Sequence, residues 1–284
     1  MDNPKCSIVI CSLNRQESLN RCLKSIERGE FKDYEIVLCE EEGKLVELKD
    51  KGWRKAGGEY IIWVDDDIEV QGNWLNNIIT IFETREDVVG ITGPTYVSSE
   101  YLKNRDVFRG GYVGWLYNKL FLDGKKLYPG YISRAGASSH GANYPTEISL
   151  KSHFVDFLEP SQFAIRRDVM EVVNGFDLGF GGIGEWCDVD LCYRIRKYGK
   201  LLYHPQVKVY HYPVKDNVAN KRLETTSRYR NYCRWANRYI RRTFKHRLYR
   251  LFLKAYFFQK SRCGVYGANS LENDQGNKKP EGFY

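Results

Sequence analysis

In the N-terminal third of the chain, short apolar runs and amphipathic segments take turns, and that alternation limits the fold more than any single motif. SIVICSL (7–13) is apolar and β-rich, and NRQESLNRCLKSIERGE after it sets Leu19, Cys22, Leu23 and Ile26 at helical spacing. The pattern predicts further strands over YEIVLCE (34–40), GEYIIWVDDD (58–67) and VVGITGPTYV (88–97). A helix is predicted over 73–87, with Trp74, Ile78, Ile81 and Phe82 on one face. Strands alternating with helices imply an α/β fold with a mostly parallel central sheet, whose ligands gather at the carboxyl ends of the strands.

The third strand ends on three adjacent carboxylates, Asp65, Asp66 and Asp67. Clustered acids repel one another and resist desolvation, so a fold tolerates them where a cation or a ring of donors neutralises them. Strand alternation would turn Asp65 and Asp67 one way and Asp66 the other. Two carboxylates on one side suit Mg²⁺ or Mn²⁺ bound jointly with a diphosphate. The plainer alternative is an Asp-rich turn that caps the next helix.

Residues 98–153 are rich in Gly, Tyr and Ser without a sustained period, and read as loops and short strands beside the site. Regularity returns over 153–177, where a strand, a turn and a short helix closed by Gly175 are expected, then a helix from about Cys187, then a closing strand pair in LLYHPQVKVYHYP (201–213). Asp188 and Asp190 begin the helix, where its dipole favours carboxylates. Asp190 has Arg194 four residues on as an intrahelical partner. Asp188 has no such partner in sequence, and a helix N-terminal carboxylate is its plain reading.

Composition narrows the setting. The eight cysteines lack paired CxxC spacing and read as reduced thiols of a cytosolic protein, which excludes a disulfide framework and a zinc site. No secretory leader and no run of spanning length is expected. The net charge of +8 is local: residues 1–214 hold 27 Lys+Arg against 31 Asp+Glu, and residues 215–262 hold 15 against 2. Within that basic segment Tyr229, Cys233, Ala236, Ile240, Phe244, Leu248, Leu251 and Ala255 recur at helical intervals. Two expectations follow: a helix packed on the rest of the chain, or an interfacial helix on an anionic membrane surface. The expected organisation is one unit over 1–214, in two halves that meet at about residue 97, a basic helical extension over 215–262, and a disordered tail over 263–284.

SIVICSLNRQESLNRCLKSI, the strand ending VDDD, FAIRRDVMEVVNGFD, GEWCDVDLCYRIRKYG and VKVYHYP, in this order, resemble the family 2 glycosyltransferases with the GT-A, Rossmann-like nucleotide-diphospho-sugar transferase fold. The resemblance implies that Asp65 and Asp67 bind a divalent metal, Mn²⁺ or Mg²⁺, together with His211, where some relatives place a metal or phosphate contact. It implies nucleotide-sugar contacts at Ser12, Asn14, Arg15, Glu40, Asp65 and Asp66, and a general base at Asp188. A packed His211 and an N-cap at Ser12 or Asn14 are the structural alternatives. The sequence departs from the family pattern in CEEEGK after the second strand, in LEPSQ before FAIRRD, and in a CD where an ED pair is usual, with Glu185 two positions away.

The reaction so implied moves a sugar from a nucleotide-diphosphate sugar to an acceptor hydroxyl with inversion. The nucleotide sugar would sit in the half to about residue 97 and the acceptor in the half after it; the acceptor would be a glycan, a polysaccharide or lipid-linked and would rest on the Tyr- and Trp-rich segment 108–160, with no nucleic acid among the partners. Two rivals share some of these features. A nucleotidyltransferase would carry a Gly-, Arg- and Lys-rich phosphate loop after its first strand, which CSLNRQES lacks. A non-catalytic sugar- or nucleic-acid-binding module leaves Asp65–Asp67 and Asp188 without purpose.

Overall fold

The computed structural model describes residues 3–97, 111–139, 141–213 and 225–263, the last stretch without the side chains of 225, 226 and 258–263. The predicted alternation is present: β1 (Cys6–Cys11), α1 (Gln16–Glu27), β2 (Tyr34–Cys39), α2 (Leu45–Lys55), β3 (Tyr60–Val64), β4 (Ile68–Val70), α3 (Trp74–Thr84), β5 (Val88–Thr92) and β6 (Thr95–Tyr96) follow in order. Next come α4 (Gly111–Phe121), β7 (His153–Phe154), β8 (Gln162–Arg166), α5 (Arg167–Val173), α6 (Cys187–Ile195), β9 (Lys200–Tyr203), β10 (Val209–His211), α7 (Thr225–Tyr239) and α8 (Phe244–Cys263).

Seven strands form the main sheet in the order β2-β1-β3-β8-β5-β9-β7. The β2-β1-β3 half is parallel, as the alternation implies. Beyond it the sheet is mixed, because β8 runs antiparallel between β3 and β5, and β7 runs antiparallel to β9. The α/β class stands, and the mostly parallel sheet is corrected to a mixed one. The predicted pairing within 201–213 is also corrected: β9 lies in the main sheet beside β5, while β10 joins β4 and β6 in a separate three-stranded sheet.

Period-two alternation divides the core. Ile8, Ile10, Ile62 and Val64 face α1 and α3, where Leu19, Cys22, Trp74 and Phe82 complete one cluster. Val9, Ile61, Trp63 and Ile165 face the opposite layer, with Trp53 of α2, Met170 of α5 and Leu191 of α6. Helix α2 was not expected, nor was α4 in the segment read as loops. Gly52 sits inside α2 because a Cβ there would lie 2.3 Å from Val9 Cγ1, so the helix can approach the sheet only with glycine at this point.

The basic C-terminal segment forms two helices rather than one. Thr243 starts the second, its hydroxyl accepting the His246 amide at 3.2 Å as an N-cap. Helix α7 packs into the second core cluster: Tyr232, Trp235 and Ala236 are fully buried, and Trp235 stacks on Trp186 with centroids 4.6 Å apart. Arg234 and Arg238 pair with Asp177 at 2.9 and 2.7 Å, and Arg228 with Glu185 at 2.8 Å. This is the packed arrangement that the acidic balance of residues 1–214 favours. The tail expected over 263–284 lies, from residue 264 on, outside the described residues, as do 98–110 and 214–224. Among the described residues no helix is long and apolar enough to cross a membrane, and the seven described cysteines are free.

Candidate functional site

Strand β3 stops at Val64, so Asp65–Asp67 occupy the turn into β4 and strand alternation does not govern them. The turn is tied to the loop before β8 by Asp65 N–H donating to Ser161 O at 3.0 Å. Each aspartate has its own surroundings. Ser12, just past β1, donates to Asp66 Oδ2 at 2.6 Å, and Arg15 donates to Asp66 Oδ1 at 3.0 Å. The same Arg15 guanidinium lies 3.8 Å from Asp67 Oδ2. His211 Nε2 lies 3.1 Å from Asp67 Oδ1.

Topology explains that last contact. Strand β10 pairs with β4 so that His211 stands opposite Ile68, and Tyr212 N–H donates to Asp67 O at 2.9 Å. The Ser12 hydroxyl is spent on Asp66 and the α1 N-cap position falls at Arg15 without a side-chain cap bond, so neither Ser12 nor Asn14 caps that helix. Asn14 is exposed at φ 56°, in the left-handed region that asparagine tolerates. Glu40 is exposed just past β2, and its neighbour Glu41 is held by Lys51 and Lys55 of α2.

Loss of hydration, reinforced by Asp67 and Asp66, pushes the half-buried Asp65 carboxyl up to about 7, against the pull of Lys49 and His211. Burial likewise raises Asp66, with Ser12 and Arg15 opposing it. A carboxylate that resists ionisation in the free protein is one that a cation would stabilise. Among the described residues no three His, Cys, Asp or Glu side chains converge to hold a cation by themselves. The carboxylates of the turn could give one or two oxygens to a Mn²⁺ or Mg²⁺ ion whose remaining oxygens came from a bound diphosphate.

Asp188 begins α6, buried to 7 % exposure, and its Oδ1 accepts from Lys49 Nζ at 2.9 Å. Lys49 comes from α2, is itself 4 % exposed, and also lies near the Phe163 ring, 5.5 Å from its centroid. Burial opposes the Lys49 charge, but Asp188, with further support from Cys187 and Asp65, outweighs it and holds the proton above the ordinary lysine range. Burial and the same carboxylate push the Cys187 thiol well up. One buried ammonium thus feels both the turn after β3 and the start of α6. Sequence reasoning missed it, since a lysine among KLVELKDKGWRK reads as surface charge. Asp190 forms the expected pair with Arg194 at 2.9 Å and a second with Arg238 at 2.8 Å, while fully buried.

Residues 40–138 match the family model described as Glycosyl transferase family 2, a stretch that holds Asp65–Asp67 but neither Asp188 nor His211. A mannosyltransferase from Pyrobaculum calidifontis, in complex with GDP-Man and Mn²⁺, superposes over 95 % of this chain and 77 % of its own with a TM-score of 0.52 and 14 % identity. GalNAc-T7, with UDP, GalNAc and Mn²⁺, superposes over 92 % of this chain with a TM-score of 0.59 and 16 % identity, and this chain spans about half (51 %) of its length. No curated protein sequence matches. The fold is therefore that of the GT-A glycosyltransferases.

Proposed function

We propose that the chain transfers a sugar from a nucleotide-diphosphate sugar to an acceptor hydroxyl, with inversion, using a divalent cation on Asp65 and Asp67 and Asp188 as general base. The observation that carries this reading is the buried Lys49 between two acidic groups at the same end of the sheet, Asp188 at 2.9 Å and the carboxylate turn beyond β3. An acidic turn able to share a cation with a diphosphate, and a separate buried carboxylate linked to it through Lys49, are the two things this transfer asks of a protein.

The residues would divide the work as follows. Ser12 and Arg15 hold Asp66 and so fix the turn, and Arg15 also offsets charge at Asp67. His211, beside Asp67, orients that carboxylate or joins the donor set. When bound, the cation supplies Lewis-acid neutralisation of the charge that develops on the departing diphosphate. Asp188, oriented by Lys49, takes the proton of the acceptor hydroxyl. With no second protein nucleophile required, attack opposite the leaving group inverts the anomeric centre, by the logic of inverting glycoside hydrolysis. The aromatic segment around 111–160 is the acceptor side, and the acceptor is a glycan or a lipid-linked hydroxyl.

A panel of nucleotide sugars screened by thermal shift, with and without Mn²⁺, tests the donor half. A ligand at a hundred times its dissociation constant stabilises the fold by about 2.7 kcal/mol, so one sugar nucleotide should raise Tm, and raise it further with metal present. A panel in which none does, or in which metal makes no difference, would remove the basis of the reading.

A further inference from the structure

Helix α8 has two apolar faces, and packing accounts for only one of them. Inward, His246, Tyr249 and Leu253 are buried, and Tyr249 and Phe252 lie against Tyr117 and Phe121 of α4. Outward, Phe244, Leu248 and Leu251 recur at intervals of four and three, which stacks them on one stripe of the helix. Phe244 is 81 % exposed, Leu251 65 % and Leu248 38 %. Exposed Ala255 continues the stripe by another turn. Single exposed apolar side chains need no explanation, but a contiguous row on one helix face marks a surface that something covers.

The charge around the row selects what covers it. Arg247 and Lys254 are exposed on the same helix, Lys245 is exposed and paired with Asp123 at 3.1 Å, Arg241 and Arg242 immediately precede the helix, and α8 contains no Asp or Glu. A second copy of this chain would bring an identical cationic rim against the first, and like charges face to face oppose association. An anionic lipid surface answers both features, the row by burial at the acyl boundary and the rim by the headgroups. Beside α8, helix α4 exposes Tyr112 and Trp115, stacked at 5.6 Å, the amphipathic aromatics that favour the headgroup level.

We propose that the outward stripe of α8 docks the protein on an anionic lipid bilayer, with Phe244, Leu248 and Leu251 at the acyl boundary and Arg247 and Lys254 on the headgroups. The inward face, through Tyr249 and Leu253, keeps the rest of the molecule rigidly attached to that surface. The stripe read from the sequence over 229–255 is thereby divided: its α7 part is partly core, with Ala236 fully buried, and its α8 part is the docking face. Nothing in this proposal depends on the sugar-transfer chemistry.

The test is sedimentation of the full chain with vesicles of equimolar phosphatidylcholine and phosphatidylglycerol, and with vesicles of phosphatidylcholine alone. Wild-type protein is expected to pellet with the anionic vesicles at low salt and to stay in solution with the neutral ones. Phe244→Gln with Leu251→Gln should abolish pelleting, and Arg247→Gln and Lys254→Gln should each lower the partition about fivefold. All four positions are exposed, so circular dichroism and thermal unfolding should match wild type. Equal pelleting with neutral vesicles, no pelleting with either, or pelleting that the four substitutions leave unchanged would overturn the proposal. So would a wild-type dimer that the Gln variants convert to monomer with no vesicle binding, since the stripe would then be a self-interface.

Discussion

Lys49 Nζ and Asp188 Oδ1 lie 2.9 Å apart, and the two side chains, separated by 139 positions in the chain, are 5 % and 10 % exposed. The pair joins α2 to the first turn of α6 inside the layer behind the sheet. Removing one partner leaves the other charge buried without compensation, which costs about 3–5 kcal/mol. Lys49→Met should therefore lower the free energy of unfolding in urea by that amount. The double variant Lys49→Met with Asp188→Leu should recover most of the loss. If the two single losses simply add, the pair is not coupled.

Asp188→Asn is expected to leave binding of the sugar nucleotide nearly intact while turnover falls about 10²–10⁴-fold, the usual share of general-base catalysis. Donor affinity from calorimetry and turnover from product release separate the two quantities. A variant that loses donor affinity yet turns over what it binds would make Asp188 a structural carboxylate.

Asp67→Asn keeps the shape of the turn and deletes an anionic oxygen. The Mn²⁺-dependent part of the thermal shift with sugar nucleotide should vanish, and any shift that needs no metal should remain. An unchanged metal response would remove Asp67 from the donor set.

Asp177 sets a pH dependence for the C-terminal helices. Burial pushes its carboxyl up, but hydrogen bonds from Arg234, the Gly179 amide and Arg238 outweigh this and hold it well below the usual carboxylate range. A depressed folded-state pKa gives stability that is present above the unfolded value, about 3.9, and is lost as pH falls toward the folded one. Asp177→Asn should thus be less stable than wild type at pH 7, with the gap in urea midpoint shrinking once the pH drops below about 4. A gap independent of pH would mean that Asp177 acts through packing.

Much of this was legible because β1, α1, β2, β3 and α3 carry local signals: apolar runs for strands, three-and-four spacing for helices. The acids Asp65–Asp67 and Asp188 stood out for the same reason, as charge in places where burial was expected. What stayed hidden depends on tertiary contact. Helix α2 has few apolar residues and a glycine in its interior, and only the approach of Gly52 to Val9 makes that glycine sensible. Lys49 is invisible until α2 is placed against α6. His211 meets Asp67 only because β10 leaves the main sheet to pair with β4, whereas the sequence of 201–213 reads as a simple strand pair. In the C-terminal segment the periodicity was real, but a period does not say which face is buried. Trp235 and Tyr232 went to the core while Phe244 and Leu251 went outward.

The central claim is metal-dependent transfer from a nucleotide-diphosphate sugar, and release of free nucleoside diphosphate tests it most directly. Wild-type protein with Mn²⁺ and a panel of sugar nucleotides should release the diphosphate slowly to water and faster once a suitable acceptor is present. Chelation should stop it, Asp67→Asn should abolish it, and Asp188→Asn should slow the acceptor-dependent part. Pyrophosphate released from a nucleoside triphosphate, or diphosphate release that persists in chelator and in Asp67→Asn, would contradict the account.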